Sequence, residues 1–180
     1  MKFFLSLLSI LVLLIECRPT FGEGTPFALV ELFTSEGCSS CPPAERVLAA
    51  ISKGAEATGD RIYLLAFHVD YWNRLGWKDP FSRAAFSSRQ RSYGRAFDSN
   101  RIYTPQMVVN GKEEFVGSNR SRAELIIRES LSQKAEVDLT IDLDLDRQSR
   151  ELTISYEISE SPDNAALNIA LVEDGLATEI

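Results

Sequence analysis

Cysteine, histidine and tryptophan are all scarce: the 180 residues hold three cysteines, one histidine and two tryptophans. A disulfide framework or a metal-ligand set therefore has few side chains to draw on. Positive charge is also in deficit, with 26 acidic against 19 basic residues and a net charge of −7. That balance argues against a nucleic-acid binder as a whole. A membrane-crossing run is missing too. The unbroken apolar-and-serine stretch from Phe3 to Ile15 falls short of the about 20 residues that a spanning helix needs. Preceded by Lys2, it reads as the hydrophobic region of a secretory signal peptide. Cleavage after Gly22 would leave Thr20 and Gly22 at the small-residue positions. Residues 1–22 are thus expected to be removed, and the mature protein to be secreted or periplasmic with no stable membrane span. Lipid anchoring through Cys17 is the rival reading, and Glu16 is a poor residue to precede a lipidated cysteine.

Loss of the signal takes Cys17 with it and leaves only Cys38 and Cys41. In an oxidising compartment this pair forms a disulfide unless a reductase maintains it. A bridge closing so small a loop restricts the unfolded chain little, so it is a weak staple and a better redox couple. A purely structural bridge and metal binding stay open as alternatives.

The cysteines sit in V-E-L-F-T-S-E-G-C-S-S-C-P-P-A-E-R-V-L, Val30 to Leu48, which reads as a buried strand, a short turn and the opening of a helix. A Cys-x-x-Cys at such a junction has the form of a thioredoxin-like redox motif. Backbone N–H groups at a helix start favour a thiolate there. With Ser40 as N-cap, Pro42 and Pro43 both fall in the first turn, where no intrahelical N–H is required. That placement predicts an exposed Cys38 and a deeper Cys41.

Pro26 to Phe33 makes the first strand, near-continuously apolar as in a central parallel strand. Glu31 interrupts it, either as an edge carboxylate in water or as a buried acid near the cysteines. The helix after the cysteines is expected to end at about Gly54, with Val47, Leu48 and Ile51 inward. Arg61 to Val69 reads as a second buried strand, so the two strands are parallel through a right-handed crossover. Parallelism brings His68, Asp70, Tyr71 and Trp72 to the sheet edge that carries the cysteine turn. His68 could tune the cysteines or lie in the core. The loop from Asp70 to Phe81 holds both tryptophans, Trp72 and Trp77, with Arg74 and Lys78. Its aromatics offer either contact surface for a partner or a cap on the core. Asp79-Pro80 is read as the start of a basic helix running to about Phe97.

Asn110-Gly111 between short apolar runs predicts a tight hairpin. Ser121 to Glu124 reads as a capping box for a last helix buried through Leu125, Ile127 and Leu131. Beyond Ala135 the period changes to strict alternation, Val137 to Leu145 and Leu152 to Ile158, a hairpin with one buried and one wet face. Leu167 to Val172 is read as a third strand. The aspartate row on the wet face stands in a line rather than around a point, which suits edge protection better than calcium. Charge divides along the same boundary: Arg61 to Arg101 carries eight basic and three acidic residues, Glu136 to Ile180 twelve acidic and two basic.

The β-α-β-α-β-β-α order resembles the thioredoxin fold. More narrowly, F-T-S-E-G-C-S-S-C-P-P-A-E, F-H-V-D-Y-W-N-R-L-G-W-K-D-P-F and Y-T-P-Q-M-V-V-N-G resemble an uncharacterised family of secreted thioredoxin-like proteins, known chiefly as a domain of unknown function. The match covers about residues 27–135. The resemblance implies an α/β thioredoxin-like domain over 23–135, export, and a cis-proline at Thr104-Pro105 facing the cysteines; it implies no substrate. Thioredoxins also carry a buried acid at a spacing similar to that of Glu31. Members usually continue further in the β region, so the antiparallel appendage over 136–180 reads as cut short.

The leading expectation is an exported thiol–disulfide oxidoreductase. Cys38 exchanges, Cys41 resolves, Pro105 shapes the groove, and protein or small-molecule thiols and disulfides are the partners, with no cofactor required. The alternatives are a copper or zinc carrier using Cys38, Cys41 and His68, and a non-enzymatic binding module.

Overall fold

The computed structural model describes residues 24–99, 101–159, 166–176 and 178. The expected signal peptide over 1–22 lies outside the described residues. The element order is β1 (Ala28–Thr34), α1 (Pro42–Thr58), β2 (Ile62–His68), a 3-10 helix (Asp70–Leu75), α2 (Ala84–Ala96), β3 (Gln106–Val109), β4 (Glu113–Val116), α3 (Arg120–Ser132), β5 (Leu139–Asp146) and β6 (Glu151–Ile158). The chain is mixed α/β, with a four-stranded sheet in the order β2-β1-β3-β4 and a separate two-stranded hairpin, β5-β6.

The central strand β1 explains its own sequence. It pairs parallel with β2, Thr34 opposite His68, and antiparallel with β3, Val30 opposite Val109. Both faces are covered, so its side chains alternate between two cores rather than between core and water. Ala28, Val30 and Leu32 pack with Ala44, Val47, Met107, Val109, Phe115 and the α3 residues Ala123, Ile126 and Ile127. Phe33 faces the other way and joins Val69 and Val108 against Phe67, Trp72, Tyr93 and Phe97. Burial of one such Leu or Val side chain stabilises by about 1.5–3 kcal/mol.

Several boundaries differ from the sequence reading. Helix α1 continues through Gly54 to Thr58 and ends at Gly59, whose φ of +73° and N–H bond to Ala55 make it the left-handed cap. Asp79-Pro80 does not start α2. That helix begins at Ala84, because the Asp79 carboxylate is drawn into tertiary bonds described below. Helix α3 is capped by Asn119, whose Oδ1 accepts the Arg122 N–H, and not by Ser121. Its rotation leaves Leu125 exposed and buries Ile126 instead. The β3–β4 hairpin turns at Asn110 and Gly111, both with positive φ, closed by Lys112 N–H to Val109 O. The Asn110 side chain also bonds across to β1, accepting the Leu29 N–H and donating to Phe27 O.

The expected buried face of the β5-β6 hairpin is open. Leu139, Ile141, Leu143 and Leu145 stand 46–61 % exposed, opposite Ile158, Tyr156, Ile154 and Leu152. Alternation placed these residues on one face, but a two-stranded sheet brings nothing to cover it. The expected third strand, Leu167 to Val172, is not in a strand: among the described residues, β5 and β6 pair only with each other.

Candidate functional site

Cys38 and Cys41 are joined in a disulfide in the turn between β1 and α1. The turn is built from its own backbone: Cys38 N–H donates to Ser35 O, and Cys41 N–H to Cys38 O. Cys41, not Ser40, is the N-cap, with Pro42 and Pro43 as the first two helical residues. This shift by one residue suits the prolines equally, since neither position needs its N–H. Both cysteines are buried, Cys38 1 % and Cys41 0 % exposed. The expectation of an exposed Cys38 is thus corrected. At the base of the turn Thr34 donates to Glu45 at 2.7 Å and ties the end of β1 to the first turn of α1.

What distinguishes the two sulfurs is their hydroxyl partners. Thr104 Oγ1 lies 3.3 Å and Ser40 Oγ 3.4 Å from Cys38 Sγ. The Trp72 Nε1–H donates to Thr104 Oγ1 at 2.8 Å. An indole nitrogen only donates, so the threonine oxygen accepts there and its own hydrogen is left for the sulfur. The Tyr71 phenol lies beside the same hydroxyl; burial raises its pKa, and bonds with Thr104 and Gln90 and the nearby Arg91 charge partly offset this.

Thr104 is held in place from below. The Thr104–Pro105 bond is cis, Pro105 is buried, and its carbonyl accepts the Gly117 N–H at 3.0 Å. Gly117 permits this close approach: a Cβ there would stand 2.8 Å from Leu32 Cδ1, 3.1 Å from Ala44 Cβ and 3.4 Å from Pro105 Cβ.

The segment from Asp70 to Phe81 wraps the residues before Cys38. Trp72 packs against Gly37, where an added Cβ would meet the Trp72 Cβ at 3.2 Å. Asp79 is buried and accepts the Glu36 N–H at 2.9 Å, the Phe81 N–H at 2.9 Å and the His68 Nδ1 at 2.7 Å. Burial pushes its carboxyl up, but these bonds outweigh burial and hold its pKa below the usual carboxylate range. The Trp77 indole N–H donates to the Glu36 carboxylate at 2.8 Å, and Thr178 donates to that carboxylate too.

Several residues singled out in the sequence do not meet the cysteines. His68 is neither a core residue nor turned to the sulfurs; it is half-buried, its Nδ1 engaged by Asp79 and its ring against Phe81. The set Cys38, Cys41 and His68 is not assembled for a metal: among the described residues, no three acidic, histidine or cysteine side chains gather as ligands. Asp70 bonds Ser87 on α2.

Glu31 matches neither expectation. It is buried on the central strand, not at an edge, and its carboxylate is filled by Arg89 (Nε 2.6 Å, Nη2 2.9 Å) and the Tyr93 hydroxyl (2.6 Å). Burial and the Glu31 acceptor push the Tyr93 phenol up to about 12. This group lines a cavity of about 400 Å³ with Phe27, Lys112 and Glu136, which neither cysteine lines.

Sequence reading missed Asp79 as an acceptor and Ser40 as a sulfur neighbour. The signal for Asp79 was its bond to the N–H two residues on, a turn that Asp before Pro favours over a helix cap. No local pattern marks the Ser40 contact.

The chain matches, over residues 29–180, a protein family described as a protein of unknown function, DUF1223. Among solved structures it resembles a crystal structure of a protein from Agrobacterium tumefaciens, with 36 % identity and a TM-score of 0.54. The likeness covers 71 % of this chain and 54 % of that one, so the chain spans about half the length of the relative. No curated protein matches.

Proposed function

The chain belongs to the DUF1223 family, whose function is unknown, and on that premise we propose that it is an exported thiol–disulfide oxidoreductase with a thioredoxin-like domain over residues 23–135. The observation that carries this is the pair of hydroxyls, Thr104 and Ser40, gathered on the sulfur of Cys38 and not on that of Cys41. A structural bridge gains nothing from a donor aimed at one sulfur, as the Thr104 hydroxyl is. A nucleophile does, because hydrogen bonds to a thiolate favour its formation. The helix start at Pro42 adds its N-terminal field to the same turn.

In the reduced protein the Cys38 thiolate attacks one sulfur of a partner disulfide. A mixed disulfide forms, and the partner's other sulfur leaves as a thiolate. The Cys41 thiolate then attacks Cys38 Sγ, releasing the second partner sulfur and closing the Cys38–Cys41 bond. Two electrons pass to the partner disulfide; with a partner dithiol the same steps run backwards. Pro105, and Trp72 acting through Thr104, keep the hydroxyl on the attacking sulfur.

The test is equilibration of the protein in glutathione buffers of graded ratio, with the Cys38–Cys41 state read by alkylation and mass spectrometry. The expected outcome is conversion between dithiol and disulfide within the range of those buffers. A bond that stays oxidised under a large excess of reduced glutathione marks a structural disulfide and overturns the reading.

A further inference from the structure

The end of the 3-10 helix and the loop from it to Asp79 present Arg74, Leu75, Gly76, Trp77 and Lys78 in succession, all exposed. Leu75 is 63 % and Trp77 43 % exposed, a large apolar pair held in water between two cations. The knuckle is not loose. Asn73 accepts the Asp79 N–H through its side chain and the Gly76 N–H through its carbonyl, and donates to Ser82. Asp79 anchors the far end in the buried bonds already described, and Trp77 is tied to Glu36, two residues before Cys38. A rigid apolar tip loses little conformational freedom on binding, which is what a contact residue requires.

The exposed charge on the knuckle itself is positive, from Arg74 and Lys78. Glu36, Asp70 and Asp79 keep their negative charge, but each is held by partners within the fold, Glu36 by Trp77 and Thr178, Asp70 by Ser87, and the buried Asp79 by His68 and backbone N–H groups. Resting on the oxidoreductase reading, we infer that this knuckle is the docking surface for the redox partner, and that the partner is a protein segment with acidic and apolar residues flanking its own reactive cysteine. The cations steer such a segment and Leu75 with Trp77 seats its apolar side chain. A basic tip bearing tryptophan and leucine also suits an anionic membrane surface. The partner reading is favoured because the Trp77 N–H is spent on the turn that carries Cys38.

The test measures exchange of the reduced protein with four disulfide probes: neutral hydroxyethyl disulfide, and three peptides of equal length with Glu and Leu, Lys and Leu, or Glu and Ser around the cysteine. Each peptide rate is divided by the neutral-probe rate of the same protein, so general damage cancels. The Glu–Leu peptide is expected to react about tenfold faster than the Lys–Leu peptide at low salt, with the preference shrinking as salt rises. The double variant R74E/K78E should reverse the charge preference, and Trp77→Ser should bring the Glu–Leu peptide down to the Glu–Ser rate. Equal ratios for all peptides, or ratios unmoved in both variants, overturn the docking surface and leave the redox reading standing. No exchange with the neutral probe overturns both. Tight binding to phosphatidylglycerol vesicles without peptide preference assigns the knuckle to a membrane and overturns the partner.

Discussion

Thr104 donates to Cys38 Sγ at 3.3 Å across 66 residues of sequence, and Trp72 fixes the direction of that bond by occupying the acceptor side of the hydroxyl. Removal of the hydroxyl therefore acts on one sulfur. In reduced Thr104→Val, alkylation of Cys38 by iodoacetamide near neutral pH should slow about tenfold, the low end for a hydrogen bond to a charged group. Thr104→Ser should keep most of the wild-type rate. Equal rates in all three proteins would show that the hydroxyl does not reach the thiolate.

Burial does not separate the cysteines, but their partners do. With Cys41→Ser, incubation with oxidised glutathione should accumulate a stable mixed disulfide on Cys38, visible as one added glutathione by mass. With Cys38→Ser the adduct on Cys41 should form far more slowly, since no hydroxyl bond to that sulfur assists it. The reverse order would exchange the roles of the two residues.

The Asp79 carboxylate ties the Glu36 turn to His68. Asp79→Asn places an amide where three donors converge and should cost about 1–3 kcal/mol at neutral pH. The sign of its acid dependence follows from the lowered pKa. The stabilisation is present above the unfolded value of 3.8 and is lost as pH falls through the folded value. Urea melts between pH 5 and pH 2 should therefore be flatter for the variant than for the wild type.

On the other side of the sheet, Arg89→Met leaves the Glu31 carboxylate buried without its cation. The loss should be about 3 kcal/mol, at the low end for a broken buried pair because the guanidinium is partly exposed. Tyr93 supplies an alkaline signature. Its folded pKa of about 12 exceeds the unfolded 10.0. Its contribution is thus complete below pH 10 and is lost as pH rises through about 12. Tyr93→Phe should lower stability at neutral pH and remove part of the decline above pH 10; an unchanged slope there would place the loss elsewhere, Tyr103 being shifted in the same direction.

What could be read without coordinates was local or periodic. The strand–cysteine–helix junction, the parallel second strand, the Asn110-Gly111 turn and the alternation of β5 and β6 all rest on neighbours within a few residues, where backbone sterics and periodicity act directly. The tertiary structure decided where charges and hydroxyls find each other. Glu31 met Arg89, 58 residues away, because α2 lies over the face that β1 shows at odd positions. Asp79 abandoned a helix cap because Glu36 and His68 arrived beside it from two other elements. The cysteine pair was legible in four residues of sequence, whereas the hydroxyl that reaches Cys38 Sγ came from Thr104, 66 residues on. Pairwise contacts of that kind depend on packing angles and chain crossings, which no local pattern of side chains encodes.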